Sequence, residues 1–258
     1  MNFRKRNKKI LLQSYVDLCK KNYTKFMGID IFPCFETIPI QLLMNEVDKN
    51  GVGSFATQFY DTKTRKQTLE VWEDIYSLQC IAEYLLFHEF THILDSEQYI
   101  HGDKRRNVGF KGYLEYHAAQ IDFLRLLNVK SINQEFSFSV GQEIETVDGK
   151  QKAIDYVRKT HELARKLISG KKFPSNHKML STAIGIVFNY WGRRSICKMY
   201  AVDYKEEVDN FVIINFLGQK GFTGLNNLMN GWLDKNMIET ICDIYFNMIV
   251  YLATKYSL

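Results

Sequence analysis

The sequence predicts an α+β fold, in which a small sheet packs on a helix and a mostly helical C-terminal half follows. Two features of the hydrophobic pattern lead to this prediction. Between residues 55 and 72, alternating apolar and polar side chains flank a polar run, which is typical of a β-hairpin. From residue 153 onwards, apolar side chains recur at helical spacing. The 258 residues are 46% hydrophobic, which is enough apolar material for a buried core.

The N-terminal segment is predicted to begin with a helix over residues 8–27. Its apolar side chains follow helical spacing, and Gly28 supplies a stop. Pro33 and Pro39 then bracket a link that is expected to be rich in turns. After this link, residues 40–47 are predicted to form a second, short helix.

A hairpin and two helices are predicted next. The hairpin covers residues 55–72, and its turn is the polar run 61–66. Helical spacing then holds over residues 75–93. A polar segment with the basic residues 104–106 separates this helix from a second apolar helix at about residues 113–127.

The C-terminal part is predicted to be mainly helical. Residues 131–150 are expected to form a small hairpin or an extended excursion, because apolar alternation is followed by a glycine turn. Glycine and proline then separate four predicted helices: residues 153–168, 177–200, 206–217 and 237–254. The chain is therefore divided into residues 1–130, with the N-terminal helix and the sheet, and residues 131–258, which are mainly helical.

Much of the net charge of +5 lies in the first 25 residues. The basic side chains there are Arg4, Lys5, Arg6, Lys8, Lys9, Lys20, Lys21 and Lys25. A basic face of this size can contact nucleic acid or an acidic protein, and Arg193-Arg194 could add to it. A solvated amphipathic helix is the favoured interpretation, because aromatic residues do not alternate with the basic ones. Nucleic acid is therefore not the expected partner.

Neither export nor a membrane span is expected. Apolar residues 10–12 are followed at once by polar ones, so the hydrophobic region of a signal peptide does not form. The apolar stretch 241–253 is interrupted by Asp243 and Asn247 and is shorter than the ~20 residues of a membrane helix, which predicts a core helix. Five scattered cysteines fit reduced thiols in a cytoplasmic protein better than a disulfide framework.

The strongest functional motif is His88-Glu89-Phe90-Thr91-His92, within the helix predicted over residues 75–93. Residues four apart on a helix lie one above the other, so His88 and His92 can present two imidazole nitrogens to one tetrahedral Zn²⁺ ion. Glu89 is turned ~100° around the helix and cannot easily share the ion. It is instead placed to act as the catalytic base on a zinc-bound water.

A third zinc ligand is expected outside the motif. The metzincin pattern requires glycine at position 95 and histidine at position 98, and this chain has Asp95 and Gln98. Glu115, on the next predicted helix, lies at a spacing that permits an antiparallel return to the motif and is the favoured ligand. The rivals are His117, which projects ~200° away from Glu115 on its helix, and His101 in a polar loop.

Supporting roles around the ion are left open. Asp95 lies three residues after His92, so it either accepts a hydrogen bond from a ligand imidazole or is a solvated carboxylate at the helix end. Several side chains could donate a hydrogen bond to the oxyanion of a tetrahedral intermediate: Tyr99, Tyr113, Tyr116, His161 and His177.

With these residues, the stretch from about residue 55 to 128 resembles a minimal gluzincin-type zincin. The motif at residues 88–92 and the Glu-x-x-Ala pattern of Glu115 and Ala118 are similar to those of the ImmA/IrrE-like metallopeptidases and related phage or mobile-element proteins. The resemblance departs at Ala119, where such families commonly have Asp or Asn. Asp122 and Asp95 are the candidates to replace that carboxylate.

The resemblance implies a zincin-like sheet packed on the motif helix, with a peptide-binding cleft between that helix and the edge strand. It also implies hydrolysis of a protein substrate, often a transcriptional repressor. The sequence therefore predicts a zinc-dependent peptidase. The alternative is a non-catalytic zincin-fold protein that captures a host or regulatory partner through its helical half. Because a pure scaffold needs no general base, Glu89 favours the enzyme.

Overall fold

The computed structural model describes residues 3–41 and 55–257. The described chain combines many helices with two small sheets, as predicted for an α+β fold. Its elements are α1 (Phe3–Met27), β1 (Glu36–Ile40), β2 (Ala56–Tyr60), β3 (Gln67–Trp72), α2 (Glu83–Asp95), α3 (Lys104–Gly109), α4 (Lys111–Leu126), β4 (Glu143–Thr146), β5 (Gly149–Lys152), α5 (Ala153–Ile168), α6 (His177–Tyr200), α7 (Phe211–Leu217), α8 (Gln219–Leu228) and α9 (Lys235–Lys255).

The first sheet contains the predicted hairpin. Strands β2 and β3 pair antiparallel, with Ala56 opposite Val71. Strand β1 pairs parallel to the other side of β3, so the order in the described sheet is β1-β3-β2. Leu69 and Val71 of the central strand are fully buried. The sheet therefore turns one face of β3 into the core and leaves β2 at one edge.

Strand β1 corrects the predicted turn-rich link, because Pro39 lies inside it. Proline has no backbone donor, so a strand that contains it is tolerated at the edge of a sheet. Strand β1 is paired only with β3 in the described sheet, which meets this requirement. The predicted helix over residues 40–47 is wrong at Ile40, which ends the strand. Its remainder, apart from Gln41, lies outside the described residues.

The helix predicted over residues 75–93 is divided in two. Residues Ile75–Ala82 form 3-10 turns, and the α-helical part, α2, begins at Glu83. The break is at Gln79, whose φ of 48° lies in the left-handed region. The hydroxyl of Tyr15 on α1 donates to the Gln79 carbonyl over 2.5 Å, which satisfies a backbone group that the helix leaves unpaired.

Three further boundaries differ from the prediction. The polar segment after the motif helix contains a short helix, α3, because the Asp103 side chain accepts a hydrogen bond from the Arg106 amide and caps it. Helix α7 begins at Phe211 rather than at residue 206. Helix α8 spans glycines that were expected to separate helices, and burial of its Phe222 and Leu225 offsets the ~1 kcal/mol that each helical glycine costs.

The predictions for the C-terminal half are otherwise close to the structure. Residues 143–152 form the small hairpin β4-β5, which is one of the two alternatives expected for residues 131–150. Helices α5 and α6 have the predicted bounds, and α9 extends the last predicted helix by two residues at its start and one at its end. Periodicity located these elements because each buries one continuous face.

Helix α6 packs closely against α4. A Cβ atom at Gly192 would lie 2.2 Å from the Tyr116 carbonyl oxygen, so only glycine allows this approach. Gly112 of α4 makes a similar contact with the Phe188 ring, where a Cβ would meet a ring carbon at 2.5 Å. Buried residues on both sides of position 130 belong to one hydrophobic cluster. Elements of the C-terminal half thus pack directly on the helices that carry the predicted site.

Within the described residues, α9 is long and apolar enough to cross a membrane by length and composition, a test that a core helix of a soluble protein also passes. About 33% of its apolar window is buried. The buried face includes Ile241 and Tyr245, and the Tyr245 ring meets Phe188 of α6 with centroids 5.5 Å apart. One face of α9 thus packs on α6.

Candidate metal centre

The motif helix α2 is held in place on three sides. Phe87 and Phe90 pack edge-on against the Tyr23 ring of α1, with centroids 5.3 and 5.6 Å apart. At the start of α2, the buried Glu83 carboxylate accepts hydrogen bonds from Asn22 of α1 and Arg125 of α4. A carboxylate in the first turn is also favoured by the helix dipole.

The sheet holds the other end of α2. The side-chain amide of Gln67 on β3 donates to the Ile93 carbonyl over 2.8 Å. Helix α1 and the sheet cover one side of α2. His88 and His92 lie on the side of the helix that faces α4. Their ring centroids are 4.7 Å apart, as residues four apart on a helix allow.

Glu115 of α4 lies opposite both imidazoles. Its Oε2 atom is 3.7 Å from Nε2 of His88 and 3.9 Å from Nε2 of His92. The ligand atoms of the three residues lie within 4.8 Å of one another. The structure therefore brings together the three residues that the sequence predicts as metal ligands.

This donor set fits zinc. Zn–N and Zn–O bonds of about 2.0–2.2 Å in a tetrahedron place ligand atoms about 3.4 Å apart. The two measured contacts of Glu115 exceed that spacing by a few tenths of an ångström. Two imidazoles and a carboxylate are also the donor types that catalytic zinc sites use with an open fourth position.

Asp122 of α4 orients His88. Its Oδ2 atom is 2.9 Å from Nδ1 of His88, and the carboxylate is buried. The carboxylate oxygen accepts this hydrogen bond from Nδ1, so Nε2 is the nitrogen that can bind a metal in exchange for its proton. Of the two candidates to replace the carboxylate missing at Ala119, Asp122 is the one that contacts a motif histidine.

Of the two motif imidazoles, the electrostatics of the centre favour a positive charge on His88 and a neutral His92. Burial lowers the pKa of His88, but the hydrogen bond with Asp122 and the nearby carboxylate of Glu115 outweigh this effect and raise the pKa to about 10. Burial raises the pKa of Glu115, but the hydrogen bond and charge of the histidines outweigh it and lower the pKa to about 2. Burial lowers the pKa of His92 to about 4. A metal cation can take the place of the proton on His88.

Glu89 occupies a different position from the three clustered residues. Its Oε2 atom accepts a hydrogen bond of 2.7 Å from the backbone amide of Gln58 on the edge strand β2. Burial raises its pKa to about 7, while the charge of His88 opposes the shift. A carboxylate with a pKa near neutrality is suited to general base catalysis, so the position and the chemistry match the predicted role.

The rival ligands lie elsewhere. Nδ1 of His117 is 2.8 Å from the buried Asp95 carboxylate, and its ring stacks on Tyr113. This pairing corrects the expectation for Asp95, whose hydrogen bond goes to His117 and not to a motif imidazole. His101 is exposed and ends the motif segment with a φ of 50°. Neither His101 nor His117 belongs to the cluster of ligand atoms.

Two of the possible oxyanion donors are engaged outside the centre. The Tyr116 hydroxyl donates to the Gly231 carbonyl over 2.7 Å. Nε2 of His161 is 3.2 Å from the Asn210 side chain. The Tyr113 hydroxyl lies 3.5 Å from Nδ1 of His117 and is hydrogen-bonded with Tyr99, and His177 is exposed at the start of α6.

Two polar residues of α6 complete the surroundings and were not predicted as site residues. Asn189 donates to Oε2 of Glu115 over 2.9 Å, and Arg193 donates to both oxygens of Asp122 over 2.8 and 3.3 Å. The sequence contains one indication of them, because they are polar and four apart in a largely apolar helix. Arg194 is fully buried and bonded to Glu206, so the Arg193-Arg194 pair does not extend a basic surface.

Comparison of the chain with protein-family models, curated proteins and solved structures finds no match. The resemblance to gluzincins therefore stays a prediction from the motif and the residues around it. What the centre can bind and do is inferred from the donor atoms, their spacing and their hydrogen-bond partners.

Replacing Glu115 by alanine is expected to weaken zinc binding by more than the ~10- to 100-fold that loss of a hydrogen-bond partner of a ligand causes. Replacing His117 by alanine is expected to leave zinc affinity nearly unchanged, because His117 pairs with Asp95. Competition with a chromophoric chelator measures both constants. Loss of zinc in His117→Ala but not in Glu115→Ala would show that α4 has been assigned the wrong ligand.

Proposed function

We propose that the chain is a zinc-dependent peptidase that hydrolyses a peptide bond in a protein substrate. The observation that carries this proposal is the convergence of His88, His92 and Glu115, with Glu89 beside them and outside the set of ligand atoms. A structural zinc site is closed by four protein ligands, whereas a catalytic site keeps one position open. The three-ligand group with an adjacent carboxylate matches the second pattern.

In this proposal, the two histidines and Glu115 hold Zn²⁺, and Asp122 fixes the His88 tautomer. When bound, zinc would lower the pKa of a water molecule and polarise the scissile carbonyl. Glu89 takes the proton of the attacking water and passes it to the leaving amine. Burial raises the pKa of Glu89, which makes its carboxylate a stronger base than an exposed one.

The substrate is proposed to bind along β2. Through the hydrogen bond between the Gln58 amide and Glu89, this strand lies directly beside the proposed base. Extended peptides bind sheet edges by adding a strand, which uses backbone hydrogen bonds and tolerates varied side chains. A peptide bond aligned in this way would lie next to both Glu89 and the metal ligands.

The same residues are compatible with the non-catalytic alternative, a zincin-fold protein that captures a host or regulatory partner through its helical half. A carboxylate next to both histidines favours the enzyme, because zinc binding alone does not require Glu89. The cytoplasmic location and the relation to phage or mobile-element peptidases remain predictions of the sequence.

The proposal is tested with purified protein and a peptide library prepared from a digested proteome. We expect close to one zinc per chain by elemental mass spectrometry. New peptide termini should appear, should disappear with 1,10-phenanthroline, and should return when zinc is restored. Protein without bound zinc, or cleavage that persists after complete metal removal, would contradict the assignment.

A further inference from the structure

Helix α6 presents a row of residues to the metal centre at a spacing of one turn. Gly185, Asn189 and Arg193 are each four apart and therefore share a helix face. A Cβ at Gly185 would lie 3.5 Å from the Glu115 carboxyl carbon, which shows that the α6 backbone runs close to this ligand. The next two residues of the row make the hydrogen bonds to Glu115 and Asp122 described above.

We propose that Asn189 and Arg193 are positioning residues for the zinc centre, and that α6 is thereby a required part of it. This inference rests on the proposed zinc site and concerns how the C-terminal half controls it. Asn189 acts on the ligand Glu115, and Arg193 acts through Asp122 on the ligand His88. Neither residue is assigned a contact with zinc or with substrate.

Asn189 fixes the carboxylate of Glu115. The oxygen that accepts its hydrogen bond, Oε2, is the same oxygen that lies nearest both motif imidazoles. Asn189 therefore holds that oxygen in a defined direction while leaving its other lone pair for a metal. Groups that orient a ligand in this way raise metal affinity by reducing its freedom before binding.

Arg193 fixes the carboxylate of Asp122. Its guanidinium binds both carboxylate oxygens, a geometry that restrains rotation as well as position. Arg193 is itself held by a hydrogen bond of 2.8 Å to Thr160 of α5, and it lies 4.5 Å from the centre of the Tyr156 ring. Without this partner, Asp122 would be a buried carboxylate with an uncompensated charge. Arg193 thus keeps Asp122 in place for its hydrogen bond with His88.

The neighbouring Arg194 provides a matched control. It is fully buried and, like the partly buried Arg193, pairs with a carboxylate, Glu206. Its other hydrogen bonds go to Asn226, Met229 and Asn230, outside the metal centre. Replacing either arginine by methionine removes a guanidinium from the same helix. A difference in zinc affinity between the two variants therefore reports position and not general destabilisation.

The experiment measures zinc affinity by chelator competition and unfolding temperature without metal for Asn189→Ala, Arg193→Met and Arg194→Met. Asn189→Ala and Arg193→Met are expected to bind zinc about 10- to 100-fold more weakly than the wild type. Both should change the visible absorption of the Co²⁺-substituted centre, because ligand geometry determines that spectrum. Arg194→Met should lower the unfolding temperature and leave affinity and spectrum unchanged.

Wild-type affinity and spectrum in Asn189→Ala would overturn the role of Asn189, and the same result in Arg193→Met would overturn that of Arg193. If Arg193→Met does not fold, Asn189→Ala decides the requirement for α6. If Arg194→Met lost as much zinc affinity as Arg193→Met, general destabilisation would explain both losses, and the inference would be overturned. A wild-type protein that binds no zinc would instead overturn the proposed function, so the two failures are distinguishable.

Discussion

Replacement of Glu89 by glutamine is expected to lower the rate of peptide cleavage by about 10²- to 10⁴-fold while leaving one zinc per chain in place. Glutamine preserves the size of the side chain and can still meet the Gln58 amide through its carbonyl oxygen. It cannot accept the proton of the attacking water. The initial rate on a peptide chosen from the library screen and the zinc content of the same preparation measure the two effects.

Glu97→Gln is the matched control for this variant. Glu97 is exposed in the helical turn that directly follows α2 and makes no described contact with the metal centre, so its replacement should leave both rate and zinc content unchanged. Loss of zinc from a folded Glu89→Gln protein would mean that Glu89 is a ligand and not the base. Full activity of Glu89→Gln in cells would mean that turnover is not the function, and the helical surface of residues 153–258 would then be the region to test for partner binding.

The double variant His88→Ala/His92→Ala is expected to lose zinc binding to background. Glu115 alone is then left of the three clustered donors, and one carboxylate cannot supply the coordination that zinc requires. The measurement compares thermal unfolding with and without zinc. A wild-type protein at a free zinc concentration 1,000 times the Kd should gain ~4 kcal/mol of stability, whereas the double variant should gain none.

His101→Ala/His177→Ala removes two exposed histidines that do not contact the centre and is the matched control. It should retain the zinc-dependent gain in stability. A double variant of His88 and His92 that still gained stability from zinc would place the metal elsewhere in the chain. If only the control lost the gain, the polar segment near His101 would contain the site instead.

The elements that the sequence predicted well are those with one continuous buried face. Helices α5 and α6 have the predicted bounds because their apolar residues recur without a long interruption. The hairpin was predictable for the same reason, since Leu69 and Val71 alternate with partly exposed residues on β3. The sequence also predicted that Glu115 and His117 face different partners, because residues two apart on a helix point ~200° apart.

The elements that were missed depend on tertiary contacts. Proline is typical of turns, so Pro39 predicted one, but its segment pairs with β3 and is a strand. Gln79 interrupts the helix at residues 75–93 with no glycine or proline to indicate a break, and the hydrogen bond that supports the interruption comes from Tyr15, 64 positions earlier. The propensity of a residue for helix or strand does not depend on partners that are distant in the sequence, so it could not predict these two features.

The same distinction applies to the candidate site. His88, His92 and Glu115 were identifiable because their spacing within two helices carries the chemistry. Asn189 and Arg193 were not, because what assigns them a role is the approach of α6 to α4. That approach depends on Gly192, and a glycine in a helix does not by itself indicate which neighbour it contacts.

The hydrogen bonds between Arg193 and Asp122 join residues 71 positions apart and have a consequence for biosynthesis. At about 5–20 residues per second, a ribosome adds that many residues in roughly 4–14 s. Throughout this interval the nascent chain already contains both motif histidines and Glu115, while Asp122 lacks its guanidinium partner. The centre can therefore reach its final geometry only late in translation, when α6 has been made, so the proposed zinc site would be complete only when most of the protein exists.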